Sequence, residues 1–119
     1  RSMQNPASYG DPDHYSTRYT GTDDNGGVHI NSGIPNLAFY LAIEGGAHPR
    51  TGTPVQGVGF ANREQIEQAF YRAFTLMMPA NANFAQARAV TLQAARDLFG
   101  ANSAAVTAIT QAWNAVGVQ

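Results

Sequence analysis

Two residues in the stretch DNGGVHINSG, residues 24–33, have types and a spacing that suit chemistry. Asp24 precedes His29, and Gly26-Gly27 between them supplies a turn tight enough to fold the carboxylate back toward the imidazole. A carboxylate on one ring nitrogen fixes the tautomer and favours a charged ring, which leaves the other nitrogen as an outward donor. The N-terminus of the helix that follows acts in the opposite sense, because it disfavours a nearby cation. The pair therefore suits donation to developing negative charge better than metal ligation or activation of a lone nucleophile. The plainer alternative is a histidine satisfied near the start of a buried helix.

Other groups offer less. Asp11 and Asp13 in DPD, and Asp23-Asp24, could give carboxylates to a calcium site, but solvated turn caps are the simpler account. His48, beside Pro49 and Arg50, reads as a loop histidine, and His14 in DPDHY as a packed, hydrogen-bonded one. Three histidines at 14, 29 and 48 lack the i, i+4 helical spacing of a zinc pair, and with no cysteine there is no thiolate to assist. No zinc is expected to bind tightly to these residues. The sequence holds no HExxH, no phosphate-binding loop, no EF-hand loop and no GxSxG, and GVGF lacks the context of a dinucleotide fingerprint.

The elements that must position Asp24 and His29 divide near Asn31. Residues 1–30 are rich in Gly, Pro, Asp, Ser, Thr and Tyr, and read as an irregular segment pinned to its neighbour by Tyr9, His14, Tyr15 and Tyr19. Residues 31–119 read as a four-helix core of the same single domain. GIPNLAFYLAIEGG carries Ile34, Leu37, Ala38 and Leu41 at i, i+3, i+4, i+7, with Phe39, Tyr40 and Ile43 on the other faces. A helix apolar all round is a buried helix. AHPRTGTPVQGVGF reads as a loop. The second helix opens on Asn62 and Gln65, a capping-box variant, and runs through Ile66, Ala69, Phe70, Ala73, Phe74 and Met77 to Pro79. The third opens on Asn83 and Gln86, buries Ala87, Val90, Ala94 and Leu98, and stops at Gly100; Leu92, Ala95 and Phe99 widen its face. Ser103 caps the fourth, with a seam of Val106, Ile109, Trp113 and Val116. The fold class is mainly α, with three amphipathic helices around a buried one.

Composition bounds the partners. With 119 residues the chain is one domain or a piece of one. The net charge is −1 and every basic residue is arginine, which argues against an electrostatic hold on nucleic acid or an anionic membrane. LAFYLAI is too short to cross a bilayer. No signal-peptide pattern opens the chain, which begins at Arg1 and reads as a fragment of something longer.

At these residues a family resemblance becomes close. RSMQNPASYGDPDHYSTRYTGTDDNGGVHINSGIPNLAFYL resembles the active-site portion of the C-terminal lobe of thermolysin-like neutral metalloproteases. AFYRAF, NANFAQARAVTLQAARDLFG and AWNAVGV resemble the helices that complete that lobe, so the likeness runs from Arg1 to Gln119. The main departure is a lengthened connection, AHPRTGTPVQGVGFANRE. The resemblance implies the C-terminal helical-bundle lobe of a secreted, extracellular zinc metalloendopeptidase. It implies that His29 donates to the oxyanion of the tetrahedral intermediate, that Asp24 orients His29, and that Arg1 binds a substrate peptide carbonyl. It further implies that zinc and most of the calcium are bound by residues upstream of Arg1, in an N-terminal zinc-bearing lobe that is this chain's partner. The chain alone should then be inactive toward peptides. An apolar patch on segment 1–30 and the cleft-facing end of the first helix is expected to bind that lobe or drive self-association. The competing reading is a stand-alone, non-catalytic helical binding module with the same fold.

Overall fold

The computed structural model describes residues 2–119, apart from the side chain of Asn25. Arg1, the expected substrate-binding residue, lies outside the described residues. The elements in chain order are a short helical turn α1 (Asp23–Gly27), the helix α2 (Gly33–Glu44), two short strands β1 (Gly46–Ala47) and β2 (Pro54–Val55), and the helices α3 (Arg63–Arg72), α4 (Phe84–Phe99) and α5 (Ala104–Ala115). The protein is mainly α-helical.

Helix α2 forms the centre because its apolar residues recur on more than one face. Ile34, Leu37, Ala38, Leu41, Ala42 and Ile43 are all buried, while Phe39 and Tyr40 are half-buried. Its chief neighbour is α5, and α4 packs between α5 and α3. The Trp113 indole is fully buried and stacks on Phe70, with ring centroids 6.2 Å apart and planes 5° from parallel. Its Nε1–H donates to Thr91 Oγ1 at 2.9 Å, and that hydroxyl donates in turn to the Ala87 carbonyl at 2.9 Å. The indole thus enters the core with its one polar group satisfied. Arg88 ties α4 to α5, donating from one guanidinium nitrogen to the Thr110 carbonyl, Asn114 Oδ1 and the Val118 carbonyl. Burial holds the Arg88 guanidinium below its ordinary range.

One local expectation holds as read, and several need correction. The Asn83–Gln86 capping box forms in both directions, at 2.8 Å each way. Asn62 makes no cap; it donates instead to the Val58 carbonyl at 3.2 Å, because a 3₁₀ turn over Phe60–Asn62 leads into α3 and leaves no extended cap residue. The loop after α2 contains a two-rung antiparallel ladder, with Gly46 opposite Val55 and Ala47 opposite Pro54. A π-helical turn, Ala73–Met77, continues α3, and Phe74, which the stripe places inward, is exposed there with its ring edge-on to Phe70. Leu98, assigned to the buried face of α4, is also exposed. Tyr9 is no anchor, being 67% exposed.

Segment 2–30 is pinned at other points. The Tyr15 N–H donates to the Val116 carbonyl at 2.7 Å, and the Tyr15 ring meets Phe84 edge-on. The His14 ring lies against Gly117, so closely that a Cβ there would collide with it. Asp13 is not a solvated turn cap: it is 2% exposed and takes a forked hydrogen bond from Arg50, with Nη2 to Oδ1 at 2.6 Å and Nε to Oδ2 at 3.1 Å. His48 does sit in a loop, but buried. Its Nε2 donates to the Asp13 carbonyl at 2.7 Å, and its Nδ1 accepts from the backbone N–H groups of Arg50 and Thr51.

Candidate functional site

Asp24 and His29 meet on one side of a tight turn. Asp24 has φ 55°, Gly26 φ 81° and Gly27 φ 88°, a left-handed run that glycine adopts without penalty and that asparagine and aspartate tolerate best among the rest. The Val28 N–H closes the turn on the Asp24 carbonyl at 3.0 Å. A 3₁₀ turn over Ile30–Ser32 then carries the chain into α2.

This path folds the Asp24 carboxylate back onto the residues that follow. Oδ2 accepts from the backbone N–H of His29 at 2.7 Å and of Ile30 at 3.0 Å, and Oδ1 accepts from His29 Nδ1 at 2.8 Å. These donors favour the ionised carboxylate. The His29 ring first, then the Ile30 N–H, hold the Asp24 carboxyl below the ordinary range. The ring itself is 76% exposed, against 25% for its partner. With Nδ1 donating to the carboxylate, the ring is held in one orientation. Nε2 faces away from Asp24 and has no hydrogen-bond partner among the described residues. Such an arrangement presents one ring nitrogen, oriented from behind, to a ligand outside the chain: an acceptor on the neutral ring and a donor on the protonated one.

Two residues that the sequence reading used only as an anchor or not at all support the turn. Asn31, half-buried, bonds through its side chain to both backbone groups of Tyr19. Tyr19 and Asn31 also line a cavity of about 570 Å³ with Arg18 and Phe84, and His29 is not part of that lining. Only the position of an asparagine two residues past the histidine hinted at this.

A zinc site, which the resemblance implies for the parent enzyme, needs three or four converging ligands. The residues here do not fit one. Among the described residues no group of three or more His, Asp or Glu is placed to share a metal ion. His29 Nδ1 faces Asp24, His48 has both nitrogens engaged, and His14 Nδ1 accepts from the Ser16 N–H at 3.1 Å. Among the described residues no helix is long and apolar enough to cross a membrane.

Comparison with known proteins places this site in context. Residues 1–118 match the family described as thermolysin metallopeptidase, alpha-helical domain. The chain is 54% identical over 118 residues to a thermostable neutral protease of Geobacillus stearothermophilus, covering 99% of this chain and 21% of that protein. It is 47% identical over 118 residues to neutral protease B of Bacillus subtilis (strain 168), covering 99% of this chain and 21% of that one. The chain therefore spans about a fifth of the length of these curated relatives. Among solved structures, the precursor of protealysin, a metalloproteinase from Serratia proteamaculans, superposes with a TM-score of 0.74 at 32% identity, covering all of this chain and 36% of that one. The match over nearly every residue, together with a fold shared at full coverage, is enough: this chain belongs to the thermolysin metallopeptidase family, as its α-helical domain.

Proposed function

We propose that this chain is the C-terminal lobe of a secreted zinc metalloendopeptidase and that His29 donates a hydrogen bond to the oxyanion formed when water attacks a substrate peptide carbonyl. Asp24 orients the ring and balances its charge, and Arg1 grips a substrate carbonyl. The zinc belongs to an upstream lobe, so the chain by itself does not hydrolyse peptides. One observation carries the reading. A largely exposed imidazole is fixed from behind by a carboxylate that is itself held by two backbone N–H groups. A histidine retained only for packing would be covered. Preorganised donors aimed at developing charge contribute on the order of 10²–10³ in rate each.

The test uses the full-length enzyme. His29→Ala should lower kcat/KM by about 10²–10³ with zinc content and melting temperature little changed, because the lost bond forms only in the transition state. If the role is structural, the melting temperature falls and the rate per folded molecule does not. That second pattern would overturn the proposal.

A further inference from the structure

We propose that Tyr19 and Asn31 are a positioning pair that sets where the His29 ring points, without touching substrate; this rests on the catalytic reading of His29. Asn31 Oδ1 accepts from the Tyr19 N–H at 2.7 Å, and Asn31 Nδ2 donates to the Tyr19 carbonyl at 2.9 Å. A single side chain thereby satisfies both backbone groups of a residue in a segment that has no strand partner. Tyr19 holds the other end of the turn as well. Its Oη accepts from the Asp23 N–H at 3.1 Å, and its ring lies against Gly27, where an added Cβ would come within 2.8 Å of the Tyr19 ring and 3.0 Å of Asn31 Nδ2.

The two supports divide the work. Asp24 fixes the ring relative to the His29 backbone. The pair fixes that backbone relative to the rest of the protein, since Asn31 lies in the 3₁₀ turn that runs into the buried helix α2. An imidazole that is 76% exposed has little packing of its own to hold its direction, so it inherits that direction from the turn. Misplacing a catalytic group by about 1 Å can cost on the order of 10²-fold in rate.

The experiment is a double-mutant cycle in the full-length, zinc-loaded enzyme, with rates expressed per folded molecule. Asn31→Ala should lower kcat about tenfold, with KM changed less than about twofold, because alignment and not substrate grip is lost. Combined with His29→Ala it should cause no further loss, since a positioning residue has nothing left to position. Asn31→Asp keeps the acceptor for the Tyr19 N–H but loses the donor, and should fall between wild type and Asn31→Ala. If Asn31→Ala does not fold, Asn31→Asp in the same two backgrounds decides. An equal loss with and without His29, or an unchanged kcat while His29→Ala is severely impaired, overturns the pair alone. An unimpaired His29→Ala overturns the catalytic reading and the pair with it.

Discussion

The Asp24 carboxylate illustrates how much one residue can be asked to do. Its two oxygens serve three donors, two of them backbone N–H groups that need a lone pair whatever the side chain at 29 is doing. Asparagine at 24 could keep its carbonyl on those two N–H groups, but its NH₂ would then face Nδ1. The ring would have to offer Nδ1 as acceptor and carry its proton on Nε2. A neutral donor would survive while the negative charge behind the ring was lost. Asp24→Asn should therefore reduce kcat/KM less than His29→Ala, which kinetic comparison of the two full-length variants would show. Asp13 offers a stability test. Burial alone would push its carboxyl up, but the hydrogen bonds and charge of Arg50, with His48 alongside, outweigh burial and leave it below the usual range. It binds a proton less readily folded than unfolded, so its contribution is complete at neutral pH. That contribution shrinks as the unfolded carboxyl protonates near about pH 4 and is gone below the lowered native value. Melting curves from neutral to acid pH should show this loss, and Asp13→Asn should flatten it. Arg50→Met, which strands a buried carboxylate, should cost about 2 kcal/mol at neutral pH; the guanidinium is half open to water while the carboxylate is buried, so the figure lies between exposed and buried cases.

At the level of elements, two similar asparagines at helix starts behave differently. Asn83 has an extended backbone and makes the reciprocal bonds of a capping box, whereas Asn62 follows a 3₁₀ turn and caps nothing. Asn83→Ala should cost about 1 kcal/mol in urea denaturation, and Asn62→Ala less than about 0.5. The four long helices were legible because each carries a 3.6-residue apolar repeat bounded by Ser, Asn, Gly or Pro. What was not legible depended on contacts distant in sequence. The Asp13–Arg50 fork and the seating of His48 join residues far apart in the chain, and no periodicity marks them. The π turn is a local exception: it changes register inside an unbroken apolar pattern, and nothing in the periodicity marks it. The approach of Asp24 to His29 could be anticipated from a Gly-Gly turn, while the Tyr19–Asn31 support beneath it could not.

The molecule as a whole has its own core. Its Cα radius of gyration is 13.4 Å, close to the roughly 13.5 Å expected of a compact domain of this length. No buried side-chain N or O atom among the described residues lacks a partner. The isolated chain should therefore be helical and melt cooperatively, and circular dichroism showing a disordered chain with no transition would contradict this. Met3 together with Pro35 and Phe39 of α2 and Phe70, Tyr71 and Phe74 of α3 and its π turn line a groove of about 410 Å³. One feature of the packing also sets a timetable. The segment bearing Asp24 and His29 is fastened where Tyr15 bonds to Val116 and the His14 ring covers Gly117, a closure across about a hundred residues. If the helices assemble before this segment docks, the seat forms after the rate-limiting barrier. Gly117→Ala, which places a methyl against the His14 ring at a residue with φ 82°, should accelerate unfolding and leave the refolding rate nearly unchanged in a chevron measurement. The fastening that completes the candidate site is then also the brake on its loss: how long the segment stays docked is decided at Gly117, in a region of the chain that takes no part in the chemistry.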